Sequence, residues 1–321
     1  MDLATPEEPT VRAALEQADR APSLHNSQPW LWRWDGRRLG LWVDPRRMLP
    51  STDAFNRQGV IGCGAVLHHA VTAFAATGWP ARVERFPRPT DRACLATLEF
   101  ERRREPAEGD RELADAIEQR YTDREPYAAD DRWPDLVPVL DGLCRDRDLR
   151  LADIDDTTRA VLAHVSWTAS ATRRRDPLYQ AELSWWLGAA GPAAGVPASA
   201  LPTREDAARV PLNRAFLSGS ADPGPQDTDH GHIVALLGHD DSPQSLLACG
   251  EALSAVLLEC TVYGLSTCVM SHLTELPATR ARVVEALGEP HPQIFVRAGR
   301  ATAPRPPRTP RRPIEDVLIR E

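Results

Sequence analysis

Two stretches of this chain constrain its fold more than any other feature, because they read as one long apolar helix written twice. Cys63-Gly64 precedes Gly78 with thirteen residues between, and Cys249-Gly250 precedes Gly264 with thirteen between. The runs Val60 to Ala76 and Leu246 to Tyr263 each follow a strand-like segment and a polar loop, Asp44 to Gln58 in one case and Gly238 to Gln244 in the other. Each ends at a glycine placed to stop a helix. Chance can match two helices, but duplication within the chain explains them together. The apolar stretch Leu246 to Leu265 is interrupted by Glu251 and Glu259, so it reads as a core helix rather than a membrane span.

The elements around these helices are shorter. Val11 to Arg20 reads as a helix capped by Thr10. Trp30 to Trp34 and Leu39 to Val43 alternate around Asp35-Gly36 and read as a hairpin. Leu95 to Phe100 reads as a strand, and Glu101 to Asp110 as a charged linker. Helices follow at Arg111 to Gln119, Asp135 to Arg145, Thr157 to Ser170 and Tyr179 to Leu187, with strands at Leu149 to Ala152, Ile233 to Leu237 and Gln293 to Ala298. Residues 188–231 are rich in Pro, Ala and Gly. A connection that long inside one domain reads as a lid or a disordered segment. The tail Ala303 to Pro313 is Arg/Pro-rich and extended.

Composition excludes several chemistries. The 321 residues contain no lysine, so all 38 basic side chains are arginine. Schiff-base catalysis, the Walker lysine and the kinase strand lysine are therefore absent. A bound phosphate must be held by arginine forks, hydroxyls, backbone N–H groups or a metal. The net charge of −8 argues against a nucleic-acid or anionic-membrane partner. The six cysteines form no Cys-x-x-Cys pair, and the acidic start is unlike a signal peptide, so a cytoplasmic chain with free thiols is expected. His230 and His232 have period-two spacing but no Cys or Glu beside them, so no metal is expected. His68-His69 reads as a packed pair on its helix.

Two loops carry the chemistry. Ala21-Pro22-Ser23-Leu24-His25-Asn26-Ser27-Gln28-Pro29-Trp30 sets Ser, Asn and Gln side chains in a proline-stiffened turn. They suit the polar edge of a planar heterocycle, although an ordinary helix-to-strand turn has the same residue types. Arg120-Tyr121-Thr122-Asp123-Arg124-Glu125-Pro126-Tyr127 flanks a hydroxyl with two arginines, which suits a phosphate monoester. A solvated charge cluster at a helix end reads the same way.

Taken together, the two loops resemble the cofactor loops of the nitroreductase family, FMN-dependent proteins of α+β fold. Arg120, Thr122, Arg124 and Tyr127 match that family's phosphate loop. Ser23, Asn26, Gln28, Pro29 and Trp30 match its Asn-x-Gln-Pro-Trp loop. The resemblance is to the Acg-type NAD(P)H nitroreductases and covers nearly the whole chain, including Leu246 to Leu265 and Arg311 to Val317. It implies FMN held by Ser23, His25, Asn26, Gln28, Arg120, Thr122 and Arg124. It also implies backbone N–H groups of Ser271 and His272 near flavin N5, and Arg308, Arg311 or Arg312 completing the phosphate site. No side-chain acid or base is implied as essential.

One departure is informative. Family members usually place the phosphate loop first and the Gln-Pro-Trp loop second, and two subunits share two sites. Here the order is reversed, and each half keeps the loop the other lacks. An intramolecular pseudo-dimer follows, with central helices packed together, mixed sheets and one FMN site. Its halves are expected at 1–105 and 106–321, the second carrying the lid and a C-terminal arm, and the chain is expected to be a monomer or weak homodimer. The implied activity passes electrons from NADH or NADPH to a small flat acceptor, a nitroaromatic or a quinone. A lid over a single site supports the rival reading of an FMN-sequestering protein with little turnover. A third reading is an oxygen-linked dehydrogenase.

Overall fold

The computed structural model describes residues 4–102, 105–189, 194–214, 216 and 229–321. The chain opens with helix α1 (Glu8–Ala18), strands β1 (Trp30–Trp34) and β2 (Leu39–Val43), helix α2 (Arg57–Ala76), and strands β3 (Ala81–Arg85) and β4 (Cys94–Phe100). Helix α3 (Glu108–Gln119), strand β5 (Tyr127–Ala128), helix α4 (Trp133–Arg145), strand β6 (Arg150–Asp153) and helices α5 (Asp156–Arg173), α6 (Pro177–Ser184) and α7 (Arg204–Ala208) follow. The remainder is strand β7 (His232–Leu237), helix α8 (Pro243–Val262), strand β8 (Ser266–Met270), helix α9 (Pro277–Leu287), strand β9 (Pro292–Ala301), helix α10 (Ile314–Val317) and strand β10 (Leu318–Arg320).

The two matched runs are α2 and α8, and they lie against each other through their Cys-Gly glycines. A Cβ on Gly64 would fall 2.1 Å from the Leu247 carbonyl oxygen and 2.8 Å from Gly250 Cα. A Cβ on Gly250 would fall 2.0 Å from the Ile61 carbonyl oxygen and 2.7 Å from Gly64 Cα. Only glycine lets the two backbones come this close. Both helices end alike. Gly78 (φ 80°) and Gly264 (φ 82°) are left-handed. The next residue bonds back five positions in each case, Trp79 N–H to the Phe74 carbonyl (2.9 Å) and Leu265 N–H to the Cys260 carbonyl (2.8 Å). These are Schellman caps. By length and composition both helices could cross a membrane, but 72% of each apolar window is buried inside the protein.

Polar contacts tie the pair further. Ser254 Oγ on α8 sits 2.7 Å from His68 Nδ1 and 2.8 Å from His69 Nδ1 on α2. Glu251, which interrupts the apolar run of α8, is buried and receives both nitrogens of an Arg85 fork from β3, at 2.7 and 2.8 Å. Burial pushes the two imidazoles down, His68 to about 3 and His69 well below its usual range, so both are neutral.

Each central helix serves its own sheet. The first runs β10-β1-β2-β4-β3, with β10 parallel to β1 and the other pairs antiparallel. Its core joins Trp30, Trp32, Leu41, Leu98 and Phe100 to Val66, Leu67 and Phe74 of α2. The second runs β6-β7-β9, with β8 and the short β5 both pairing β9, and is antiparallel among the described residues. Its strands are covered on both faces. Val234, Leu236, Ile294 and Val296 pack toward α8 and α4, while Ile233, Ala235 and Phe295 pack with Leu162, Val165 and Val283 of α5 and α9. Double burial explains why β7 reads as an unbroken apolar run. The last strand, β10, returns to the first sheet.

Several elements differ from the sequence reading. Helix α1 begins at Glu8, because Pro9 fits the first turn, so Thr10 is inside the helix rather than its cap. Strands β3 and β8 and helix α9 were not evident. Helix α9 buries only Thr279 and Val283, too little to show a periodic stripe. Part of the expected lid, residues 190–193, 215 and 217–228, lies outside the described residues.

The glycine contact generates a stability prediction. Gly250→Ala forces a methyl into the Ile61 carbonyl and is expected to cost about 3 kcal/mol. Gly142→Ala in α4, where a Cβ meets nothing within 4 Å, is expected to gain about 0.5–1 kcal/mol. Urea denaturation midpoints of the two variants check both signs.

Candidate functional site

The Ala21 to Pro29 loop departs from ordinary backbone geometry. His25, Asn26 and Gln28 have φ values of 52°, 56° and 51°, left-handed for three non-glycine residues among four. Such a conformation costs of order 1–3 kcal/mol per residue and persists only where surroundings hold it. The holding bonds are specific. Ser23 Oγ accepts from Gln28 N–H at 2.9 Å, and Gln28 Nε2 donates to the Asn26 carbonyl at 3.1 Å. Gln28 Oε1 accepts from Arg312 N–H at 2.8 Å, while the Arg312 guanidinium donates to the Gln28 and Trp30 carbonyls. Asn26 Nδ2 donates to the carbonyls of Gly195 and Pro310, both at 2.9 Å.

The Arg120 to Tyr127 loop is fixed from below by a buried ion pair. Arg297 on β9 is 1% exposed and donates to Asp229 Oδ1 at 2.6 Å and to the Glu125 carbonyl at 2.9 Å. Its guanidinium lies 4.0 Å from the Tyr127 ring centre. Tyr127 Oη donates to the Asp123 carbonyl at 2.6 Å, and Asp123 N–H donates to the Thr267 carbonyl of β8 at 2.9 Å. The motif's aromatic therefore braces the loop from inside.

Between the two loops lies a cavity of about 1340 Å³ counted out to its open mouth. Ser23, His25, Asn26, Arg120, Thr122, Arg124, Ser271, His272, Arg308 and Arg311 all line it. Gln28 does not; it is fully buried and holds the arm and loop together. Arg312 likewise lies behind the loop, paired with Asp44 at 3.5 Å. The arm that delivers Arg305, Arg308 and Arg311 follows α3 and α1. Arg308 donates to Glu118 Oε2 at 2.9 Å, and Arg311 donates to the Asp19 and Arg20 carbonyls at 2.6 and 3.0 Å.

The lining also includes residues the sequence did not signal. Arg20 comes from the end of α1, Gln58 from the start of α2, and Arg214 and Phe216 from the expected lid. Arg214 is held by Glu275 (Nη1 to Oε2, 3.1 Å) and Tyr179 Oη (2.9 Å), and its other nitrogen meets Ser271 Oγ at 3.2 Å. His272 Nε2 sits 2.8 Å from Ser166 Oγ, which donates to the Asn213 carbonyl at 3.1 Å.

Electrostatics divide the cavity into two regions. In one, Arg20, Arg120 and Arg311 are crowded together with Arg305 and Arg308. Burial first, then Arg20 and Arg305, pushes Arg120 down to about 10. Burial, then Arg20 and Arg120, pushes Arg311 down to about 9. Arginine keeps its proton in proteins, so this pressure is a folding cost that an anionic partner offsets. In the other region, burial and the Arg214, Arg124 and Arg173 guanidiniums hold His25 well below the usual imidazole range, so it is neutral. Arg124 belongs to this second region. Its guanidinium donates to the Ala200 carbonyl at 3.0 Å and lies 5.2 Å from the Phe216 ring, apart from the cluster around Arg120.

Buried polar atoms around the cavity are left open. Among the described residues, Arg120 Nε and Nη1, Arg20 Nε, His25 Nε2, Gln58 Nε2 and Arg297 Nε have no hydrogen-bond partner. Buried donors are ordinarily paired, so such a set around one cavity fits a polar ligand. The crowded arginines fit a phosphate monoester, and the second region fits a flat ring with polar edges. No group of three or more His, Cys, Asp or Glu side chains among the described residues is placed to hold a metal ion. His232 instead stacks on Trp133 at 4.5 Å.

The chain has relatives among known proteins. No family model matches it. It is 41% identical over 313 residues to "Putative NAD(P)H nitroreductase acg" of Mycobacterium tuberculosis, covering 96% of this chain and 95% of that one. A second protein of that organism, also named as an NAD(P)H nitroreductase, is 38% identical over 332 residues, covering 99% and 93%. Among solved structures, an FMN- and NADPH-dependent nitroreductase from a Sphigopyxis strain aligns at a TM-score of 0.40 and 14% identity, over 64% of this chain and 97% of that one.

The arginine cluster predicts anion stabilisation. Inorganic phosphate at ten times its Kd is expected to add about 1.4 kcal/mol to the ligand-free chain, beyond chloride of equal ionic strength. A chain carrying Arg120→Gln and Arg311→Gln is expected to lose that difference. Thermal unfolding scans in the two salts measure it.

Proposed function

The chain belongs to the nitroreductase family, and from that membership we propose that it is an FMN-dependent oxidoreductase passing electrons from NADH or NADPH to a small flat acceptor, a nitroaromatic or a quinone. The observation that carries the cofactor is the group of buried, unpartnered nitrogens around one cavity, with Arg120 in the crowded arginine region. When bound, FMN supplies two-electron chemistry at its ring, which the protein orients. Arg20, Arg120 and Arg311 would hold its phosphate, with Arg305 and Arg308 at the rim. Ser23, Asn26 and Thr122 would lie along the chain and ring, and the Ser271 and His272 backbone would face the reacting edge. Arg124 and neutral His25 would sit toward the ring rather than the phosphate.

The two halves read as a fused pseudo-dimer. Supporting this are the paired glycines Gly64 and Gly250, the identical caps at Gly78 and Gly264, and lining residues drawn from both halves. One site per chain follows, and a partner subunit is not needed to complete it.

A second reading has its own observation. Val196, Ala200, Val210, Leu212, Asn213, Arg214 and Phe216 from the expected lid line the same cavity, and Asn26, Arg124 and Glu275 fasten that segment. A cover held this way can exclude nicotinamide and acceptor alike, which favours sequestration of FMN.

An anaerobic titration separates the two readings. Bleaching of the FMN-loaded chain by NADPH or NADH supports the reductase, and an unbleached spectrum with both supports sequestration. Arg120→Ala is expected to weaken FMN roughly 10- to 150-fold, the equivalent of about 1.5–3 kcal/mol for a charged hydrogen bond. Fluorescence quenching on FMN addition measures the change.

A further inference from the structure

Six cysteines serve no role in the function proposed above. Five of them, Cys63, Cys94, Cys144, Cys249 and Cys260, are buried, and burial pushes each of their thiols up. Such thiols are inert toward electrophiles. Cys268 on β8 differs in place and exposure. It is half-buried and lines the cavity. In the antiparallel β8–β9 ladder its direct partner is Arg297, so the two side chains share a face of the sheet.

The surroundings of that thiol point to a ligand independently of it. Arg297 is 1% exposed and His25 is 5% exposed, both line the cavity, and Arg297 Nε and His25 Nε2 have no partner among the described residues. The Arg124 guanidinium carries its charge within electrostatic reach of Cys268 as well. A half-buried thiol on the wall of this cavity, cross-strand from an arginine whose Nε is open, is placed to meet a flat electrophile, and that N–H can donate to the oxygen charge that develops.

We propose that Cys268 is a covalent modification site for quinones, the electrophilic members of the acceptor class, and that its modification closes the site to FMN. This rests on the acceptor class proposed above. The step needs no outside oxidant. The sulfur forms a bond to an unsubstituted ring carbon of the quinone, and the carbon–carbon double-bond pair moves to the conjugated carbonyl oxygen. That oxygen takes the proton the thiol gives up. The hydrogen on the attacked carbon then moves to the second carbonyl oxygen, leaving a hydroquinone thioether. Bound FMN would cover this wall, so a loaded chain is protected. A chain without FMN is exposed to quinones and becomes locked out of cofactor binding.

The test treats the full chain, FMN-free and FMN-loaded, with 1,4-benzoquinone and maps adducts by peptide mass. The expected result is an adduct on Cys268 at least about tenfold faster than on any buried thiol, slowed by FMN. The adducted chain is expected to lose FMN binding. Cys268→Ser treated with benzoquinone should bind FMN as the same variant does untreated. An unmodified Cys268 under conditions that consume glutathione overturns the proposal, as does labelling that FMN does not slow. Failure of the untreated chain to bind FMN is a separate outcome, since it overturns the flavin reading and with it the closure of the site.

Discussion

The contact of Gly64 with Gly250 is the constraint on which the rest of the structure depends. Two backbones this close leave no room for side chains, so the two central helices are locked in one register and bury each other. Each then presents its remaining faces to its own sheet, which is why each sheet has its own core against a central helix. The cavity lies beside this helix pair. Gln58, Ile61 and Gly62 reach it from α2, and Leu253 reaches it from α8. A shift of one helix turn between the two would separate the Ala21 to Pro29 loop from the Arg120 to Tyr127 loop. The Arg85–Glu251 fork and the His68/His69–Ser254 contacts add polar specificity to a seam that is otherwise apolar.

Around that frame the site concentrates unfavourable terms. Three left-handed residues, several buried arginines of like charge and a set of unpartnered nitrogens lie within one region. Asp19, beneath the arm, adds a carboxyl that burial pushes up to about 7 against Trp30, Arg311 and Arg312. These costs are tolerable because the C-terminal arm is anchored at several points, through Glu118, Asp19, Gln28 and finally the β1–β10 pairing. Strain and open donors at a preorganised site are what a tightly recognised anionic ligand offsets.

Much of this was legible in the sequence, for identifiable reasons. The hairpin Trp30–Trp34 and Leu39–Val43 agrees to the residue, because the alternation of the first strand and a turn at Asp35-Gly36 leave little freedom. The central helices were legible through their length and terminal glycines. Ten of the site candidates line one cavity: Ser23, His25, Asn26, Arg120, Thr122 and Arg124 come from the two short motifs, and Ser271, His272, Arg308 and Arg311 from the wider resemblance. What stayed hidden depends on tertiary contact. Arg20 and Gln58 look like ordinary helix-end residues until α1 and α2 are brought beside the arm. Arg214 sits in a weakly patterned segment and acquires its place from Glu275 and Tyr179. Gln28, read as a ligand contact, has the chemistry for it but spends its amide on Asn26 and Arg312. Arg124 matches the phosphate motif by spacing, yet the bend of its loop turns it toward Phe216.

The claim beneath all of this is that two unlike halves complete one cofactor site. The direct measurement is the FMN content of the purified chain after reconstitution, read by absorbance on denaturation and set against the mass of the species in solution. One FMN per chain, retained when the chain is monomeric, is the predicted result. Two FMN per chain, or binding only in a dimer, would contradict it.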